Sequence, residues 1–242
     1  MFKRLVVLVV LGSSLALAQA AEPAGKFATE NVIKHTLEDR LGGAKIDSVI
    51  KTPYLGLYEV HIGSEIIYTD AKMNYIFNGS IIDVKTMENL TQKRLSELNA
   101  ISWNDLPLDA AFKTVHGKGK RVLAVFVDPN CPYCKRFEKE LVKVDDITVY
   151  TFLFPILSQD SHQKAQAIWC SADKSKAWSD WMLNGKVPVA AKCDTPIAQN
   201  LAFARKNNIT GTPTLIFANG QRVPGAISAE RLEKMLALNE KK

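Results

Sequence analysis

The segment from Arg121 to Val142 constrains this chain more than any other. Residues 122–127 form a continuous apolar run rich in β-branched side chains, the pattern of a buried strand. Asp128-Pro129-Asn130 ends it, because Pro129 lacks the N–H that a ladder requires. The period then becomes helical. Cys134, Phe137, Leu141 and Val144 recur at helical spacing, with Lys135, Arg136, Glu138, Lys139 and Glu140 as the charged residues around them. Pro132 falls in the first turn, where a missing N–H costs nothing. A Cys-x-x-Cys motif therefore sits where a buried strand hands over to a helix.

That position has chemical consequences. Cys131 stands at the helix N-terminus, where unpaired N–H groups and the positive end of the helix dipole favour its thiolate, the nucleophilic form. Cys134, one turn further in, is more shielded and placed to attack a mixed disulfide formed at Cys131. A zinc site needs four ligands, usually as two close pairs. Cys170 and Cys193 are far apart in sequence and near no obvious histidine ligand, so no metal is expected. An inert disulfide within the motif is the remaining alternative; the spacing favours redox chemistry.

At the start of the chain, Lys3 and Arg4 precede an apolar run over residues 5–17, too short to span a bilayer comfortably. Ala18-Gln19-Ala20 has the form of a cleavage site, so residues 1–20 read as a secretory signal peptide cleaved after Ala20. Export puts the protein where disulfides persist. Loss of Lys3 and Arg4 lowers the formal charge from +6 to +4, and no block of five or more like charges or aromatic-interleaved basic stretch remains, so nucleic-acid binding has little support.

Residues 27–41 read as a helix stopped by Gly42-Gly43, and short strands with turn signals at Gly63-Ser64 and Asn78-Gly79 follow to about Ile82. This makes an α+β N-terminal domain over residues 21–83: one helix and a small antiparallel sheet. Its small core and open edges would be relieved by pairing with a second copy. His35 and His61 read as lone structural or solvent-facing residues. A polar helix, residues 86–100 within a linker spanning 84–103, leads to the C-terminal domain, 104–242.

There the strand and motif helix are followed by an apolar strand over residues 147–153 and two helices, 162–170 and 177–182, the second with Trp178 and Trp181 on an apolar stripe. A helix opened by Thr195-Pro196, a hairpin about Asn219-Gly220 and a last helix capped by Ser228 complete the chain. The order is that of an α/β thioredoxin-like domain with a helical insertion. In thioredoxin-like proteins a cis-proline stands beside the active cysteines, and Gly211-Thr212-Pro213 matches that place.

Together the leader, the N-terminal sheet domain, the linker helix, Cys131-Pro-Tyr-Cys134, Ala167-Ile-Trp-Cys170, Cys193-Asp194 and Gly211-Thr-Pro213 resemble the periplasmic DsbC-type protein disulfide isomerases of the DsbC/DsbG family. The resemblance covers essentially the whole mature chain. It implies that Cys131 attacks substrate disulfides, that Cys134 resolves, and that Pro132, Tyr133, Thr212 and Pro213 face the substrate. It also implies a structural disulfide between Cys170 and Cys193, in keeping with even cysteine usage in an exported chain. The partners it implies are misfolded, disulfide-containing exported proteins, a membrane electron donor of the DsbD type and a second copy of the chain in a homodimer; no cofactor is implied. Two positions depart from the pattern. Pro132-Tyr133 is the dipeptide of the sister protein DsbG, which is associated with reduction of sulfenylated cysteines, and the buried acid that thioredoxins carry six residues before the first cysteine is Val125 here. A sulfenate reductase with chaperone activity and a thiol oxidase are the alternative functions.

Overall fold

The computed structural model describes residues 24–239; the expected leader and its cleavage site lie outside them. Apart from the turn segment Gly63–Ile66, which groups with the second, the chain divides into one compact unit ending at Phe77 and another beginning at Asn78.

In the first unit, helix α1 (Ala24–Arg40) is followed by strands β1 (Ser48–Lys51), β2 (Tyr58–Ile62), β3 (Glu65–Thr69) and β4 (Ile76–Phe77), which form one sheet in sequence order. Ile33 and Leu37, one helical turn apart, bring the buried face of α1 onto Ile46, Val49, Tyr58, Val60 and Ile67. Gly42 and Gly43 both hold positive φ, and the Gly43 N–H closes the helix on the Glu38 carbonyl (2.8 Å).

The second unit opens with a two-stranded hairpin, β5 (Ile82–Asp83) and β6 (Glu88–Asn89), and helix α2 (Leu90–Leu98). This helix is shorter than the pattern over residues 86–100 predicts. Asp83 Oδ1 accepts the Lys85 and Thr86 N–H groups in a turn, and Asn89 caps the helix by accepting from the Gln92 N–H (2.9 Å).

The main sheet comprises β7 (Phe112–His116), β8 (Arg121–Val127), β9 (Ile147–Leu153), β10 (Thr214–Phe217) and β11 (Arg222–Pro224), in the order β11-β10-β8-β9-β7. β8 and β9 run parallel; the other pairs are antiparallel. The helices are α3 (Pro132–Leu141), α4 (Gln159–Trp169), α5 (Lys174–Asn184), α6 (Ile197–Lys206) and α7 (Ala229–Asn239). Central β8 feeds both cores by the two-residue period of a strand. Leu123, Val125 and Val127 join a cluster with Cys134, Phe137, Trp178 and Leu232, whereas Ala124 and Phe126 join one with Phe152, Ala204 and Ile216. Both faces are thus covered, which accounts for the continuous apolar run in the sequence.

Edge strand β7 is absent from the sequence reading. It is polar and only Phe112 along it is buried, while Val115 is 56% exposed, so neither a clean alternation nor an apolar run marks it. Its pairing with β9 alone makes it a strand.

Cys170 and Cys193 form a disulfide with a Cα–Cα separation of 5.7 Å, closing a 23-residue span that includes α5. Restricting the unfolded chain over a loop of that length stabilises the fold by about 3 kcal/mol. Cys170→Ala should therefore lower the melting temperature by several degrees while the Cys131/Cys134 pair still titrates as in the wild type; calorimetry and thiol counting check both.

Candidate active site

Cys131 occupies the N-cap of α3 with extended backbone (φ −72°, ψ 119°), and Pro132 supplies the first turn with its fixed φ. The Lys135 N–H bonds to the Cys131 carbonyl at 3.1 Å, so the helical ladder begins at the first cysteine. Cys134 is one turn in. Both are buried, at 4% and 1% exposure, and both are free thiols.

The turn that delivers them is built around Asp128, which is fully buried. Its Oδ1 accepts the Asn130 N–H (2.8 Å), and its Oδ2 accepts the N–H groups of Ile156 (2.8 Å) and Leu157 (2.9 Å). Its carbonyl accepts the Cys131 N–H (3.1 Å). One carboxylate therefore ties the end of β8 to the segment following β9. Trp181 of α5 donates its indole N–H to the Pro129 carbonyl (2.6 Å), and Asn130 donates to Asp160 Oδ2 (2.6 Å). Lys135 and Lys164 lie over the Trp181 ring, 4.1 and 4.8 Å from its centroid.

The loop before β10 closes the site. The Thr212–Pro213 bond is cis, and the Cys131 sulfur lies 3.2 Å from the Thr212 carbonyl oxygen. Thr214 Oγ1 donates to the Gly211 carbonyl (2.7 Å) and the Gly225 N–H donates to that of Pro213 (2.7 Å), so the loop is fastened at both sides of Pro213.

The two thiols are driven in opposite directions. Hydrogen bonding from Cys134 brings the Cys131 pKa down to about 5, against the opposing effect of burial and with help from the Thr212 hydroxyl and the N–H groups of Cys134 and Tyr133. The neutral thiol instead donates to the Thr212 carbonyl; the two contacts at Thr212 belong to different protonation states. Cys134 is pushed far above an ordinary thiol, first by burial and then by its hydrogen bond to the Cys131 anion. At neutral pH one sulfur is a thiolate and the other holds its proton.

Of the residues singled out from sequence, Cys131, Cys134, Thr212 and Pro213 converge here. Pro132 and Tyr133 lie exposed on the first turn of α3, Tyr133 at 61%. Cys170 and Cys193 are bonded to each other and take no part. Three residues were not anticipated. Asp128 reads as a turn residue, although Asp-x-Asn before a helix is a recognisable signal for a side chain bonding nearby N–H groups. Trp181 reads as core, yet it is only partly buried and holds the main chain ahead of the motif. Glu138, read as one of the charged residues around the apolar stripe, is buried at 8% exposure and accepts the Trp178 indole N–H (3.1 Å). Among the described residues, no group of three or more His, Cys, Asp or Glu side chains could hold a metal ion.

The chain matches two family models: a disulfide bond isomerase protein N-terminal domain over residues 15–92 and a thioredoxin-like domain over residues 108–239. It is 44% identical over 219 residues to a probable thiol:disulfide interchange protein DsbC of Bordetella parapertussis, covering 90% of this chain and 76% of the relative. The chain belongs to the DsbC family of thiol:disulfide interchange proteins. Identity to the DsbC of Escherichia coli K12 is 30% over 206 residues, covering 82% of this chain and 84% of that one. A crystal structure of a disulfide interchange protein from Neisseria gonorrhoeae superposes with a TM-score of 0.55 at 44% identity, over 57% of this chain and all of that one. The chain is thus a thiol–disulfide oxidoreductase of the DsbC isomerase class, an isomerase-type N-terminal domain followed by a thioredoxin-like domain.

Proposed function

We propose that Cys131 is the attacking cysteine and Cys134 the resolving cysteine of a periplasmic, homodimeric isomerase acting on incorrectly paired disulfides of exported proteins. The observation that carries this is the split between the two sulfurs, one held near pKa 5 and its neighbour held protonated, with both thiols free. The Cys131 thiolate attacks a substrate sulfur; a Cys131–substrate disulfide forms, the substrate disulfide breaks, and the released thiolate carries away the electron pair. The released substrate thiolate then attacks a different substrate disulfide, or Cys134 attacks Cys131 and leaves the substrate reduced. The second outcome oxidises the enzyme pair, so turnover needs a dithiol donor, in the family a membrane carrier of the DsbD type. Thr212, Pro213, Pro132 and Tyr133 form the substrate-facing rim: Pro132 and Tyr133 are exposed and Thr212 is half-buried, while the buried Pro213 fixes the loop before β10, a place suited to pairing with an extended peptide. Residues 21–83 act as the dimerisation domain, with 84–103 as linker and 104–242 as catalytic domain. Edge strand β4, whose Ile76 and Phe77 are 47% and 50% exposed beside Tyr75 at 69%, supports a pairing surface there. No helix among the described residues is long and apolar enough to cross a membrane.

Reduction of sulfenylated single cysteines is a second reading, favoured by Pro132-Tyr133; it uses the same attack and resolution on Cys–SOH. Acid-quenched thiol trapping in cells tests the assignment. Cys131 and Cys134 should be recovered free, and the mature chain should sediment as a dimer. Recovery of the pair as a disulfide would make the protein an oxidase, and a monomer would remove the dimeric isomerase.

A further inference from the structure

The exchange chemistry leaves one requirement unmet by the cysteines themselves: Cys134 must lose its proton before it can attack. Strand β8 supplies no acid for this, since Arg121–Val127 contains no carboxylate and Val125 is packed in the core. Helix α3 does supply one. Glu138 is one turn beyond Cys134, and positions i and i+4 share a helix face with Cβ atoms about 5–6 Å apart. A helical side chain leans toward the N-terminus of its own helix, and Cys134 and Glu138 are both on the buried face of α3. Trp178 of α5 holds the Glu138 carboxyl. It packs in the same cluster as Cys134 and fixes Glu138 Oε2 through its indole N–H.

We propose that Glu138 is the proton acceptor for Cys134 in the resolving step. The inference rests on the assignment of Cys134 as resolving cysteine. The Cys134 proton passes to the Glu138 carboxylate, and the Cys134 thiolate attacks the Cys131 sulfur of the mixed disulfide. The Cys131–Cys134 bond forms, the Cys131–substrate bond breaks, and the electron pair leaves on the substrate thiolate. Two electrons pass from the enzyme pair to substrate, and the proton stays on Glu138 until solvent removes it.

The surroundings suit that task. Burial raises the Glu138 pKa to about 7 while the Trp178 N–H pulls the other way, so the carboxyl exchanges protons near neutrality. No cation contributes to the shift at Glu138, and several lysines of the flanking elements are engaged elsewhere. Lys135 of α3 and Lys164 of α4 lie over Trp181, Lys174 lies over Trp169, Lys176 pairs with Asp180, and Lys143 pairs with Glu140. From β7, Phe112 packs on Trp178, and Lys113 lies over Tyr150. The buried Asp128 carboxylate next to the site is committed to the N–H groups of Asn130, Ile156 and Leu157.

Stopped-flow reaction with dithiobis(nitrobenzoic acid) separates the steps. The first chromophore is released when Cys131 forms a mixed disulfide, the second when Cys134 resolves it. Glu138→Gln keeps an acceptor for Trp178 but cannot take a proton. It should leave the first phase unchanged and slow the second on the order of a hundredfold at neutral pH. In the wild type the second phase should fall as pH drops through about 7, where the carboxylate is protonated. That inflection should vanish in Glu138→Gln and return in Glu138→Asp. Trp178→Phe removes the donor that favours the carboxylate and should move the inflection to higher pH. A second phase in Glu138→Gln of wild-type rate and pH dependence overturns the proposal, whereas loss of the first phase in the wild type overturns the assignment of Cys131 instead. Should Glu138→Gln not fold, an inflection unmoved in Trp178→Phe overturns it.

Discussion

Cys131→Ser should reduce thiol–disulfide exchange to the uncatalysed background, and Cys134→Ser should accumulate mixed disulfides on Cys131. The reasoning is electrostatic. A pKa near 5 makes Cys131 almost wholly anionic at neutral pH, whereas a serine hydroxyl in the same place stays protonated. The same shift makes the stability of the reduced protein depend on pH, with a defined sign. The folded-state pKa lies below the free-thiol value, so the unfolded chain binds the extra proton between the two. The stabilisation is complete above the free-thiol value of 9.0 and is lost as pH falls toward about 5. Denaturant unfolding of the reduced wild type and of Cys131→Ser, compared across that range, should give a gap that narrows as pH falls. Thiolate absorbance should titrate with a midpoint near 5 in the wild type and show no such step in Cys131→Ser. A midpoint at the ordinary thiol value, or a gap that ignores pH, would dismiss the reading of Cys131 as the activated nucleophile.

How far the sequence carried the fold depends on where burial was decided. β8 and β9 were legible because strands covered on both faces are apolar along their whole length, and the switch to helical period after Pro129 located α3. The cysteine motif and the Thr212-Pro213 loop were legible as short sequence signatures, although they lie 81 residues apart and only the sheet order brings them together. β7 was not legible, because its strand character comes from the partner it pairs with rather than from its side chains. Glu138 was misread for a related reason. Charge on a helix face ordinarily signals solvent, and only the arrival of Trp178 from α5 turns that position into a buried, hydrogen-bonded one. Asp128 could be read as a turn residue but not as an anchor, since two of the N–H groups it accepts come from residues 156 and 157.

Asp128→Ala should be among the most destabilising single changes outside the apolar core, by about 3 kcal/mol. The side chain is fully buried and accepts three main-chain N–H groups, from Asn130, Ile156 and Leu157. Truncation strands all three, and a donor left without a partner in a partly buried place costs about 1–3 kcal/mol, less where water reaches it. Against a typical domain stability of about 5–15 kcal/mol, that is a large fraction. Asp128→Asn separates charge from shape. It keeps one acceptor oxygen, but its NH₂ turns a donor toward the remaining N–H groups, so it should fall between Ala and the wild type. The functional consequence follows from position. The bond from the Cys131 N–H to the Asp128 carbonyl survives both changes, but the loop at residues 156–157 is released from the turn that sets the N-cap of α3. Exchange by the folded Asp128→Ala protein should therefore slow together with a rise in the Cys131 thiol pKa, as the N-cap geometry that favours the anion relaxes. Denaturant unfolding measures the first effect and pH-dependent alkylation of Cys131 the second. An Asp128→Ala protein of wild-type stability would mean that those three N–H groups find other partners. A large stability loss with an unshifted Cys131 would mean that α3 holds its first cysteine without the Asp128 carboxylate.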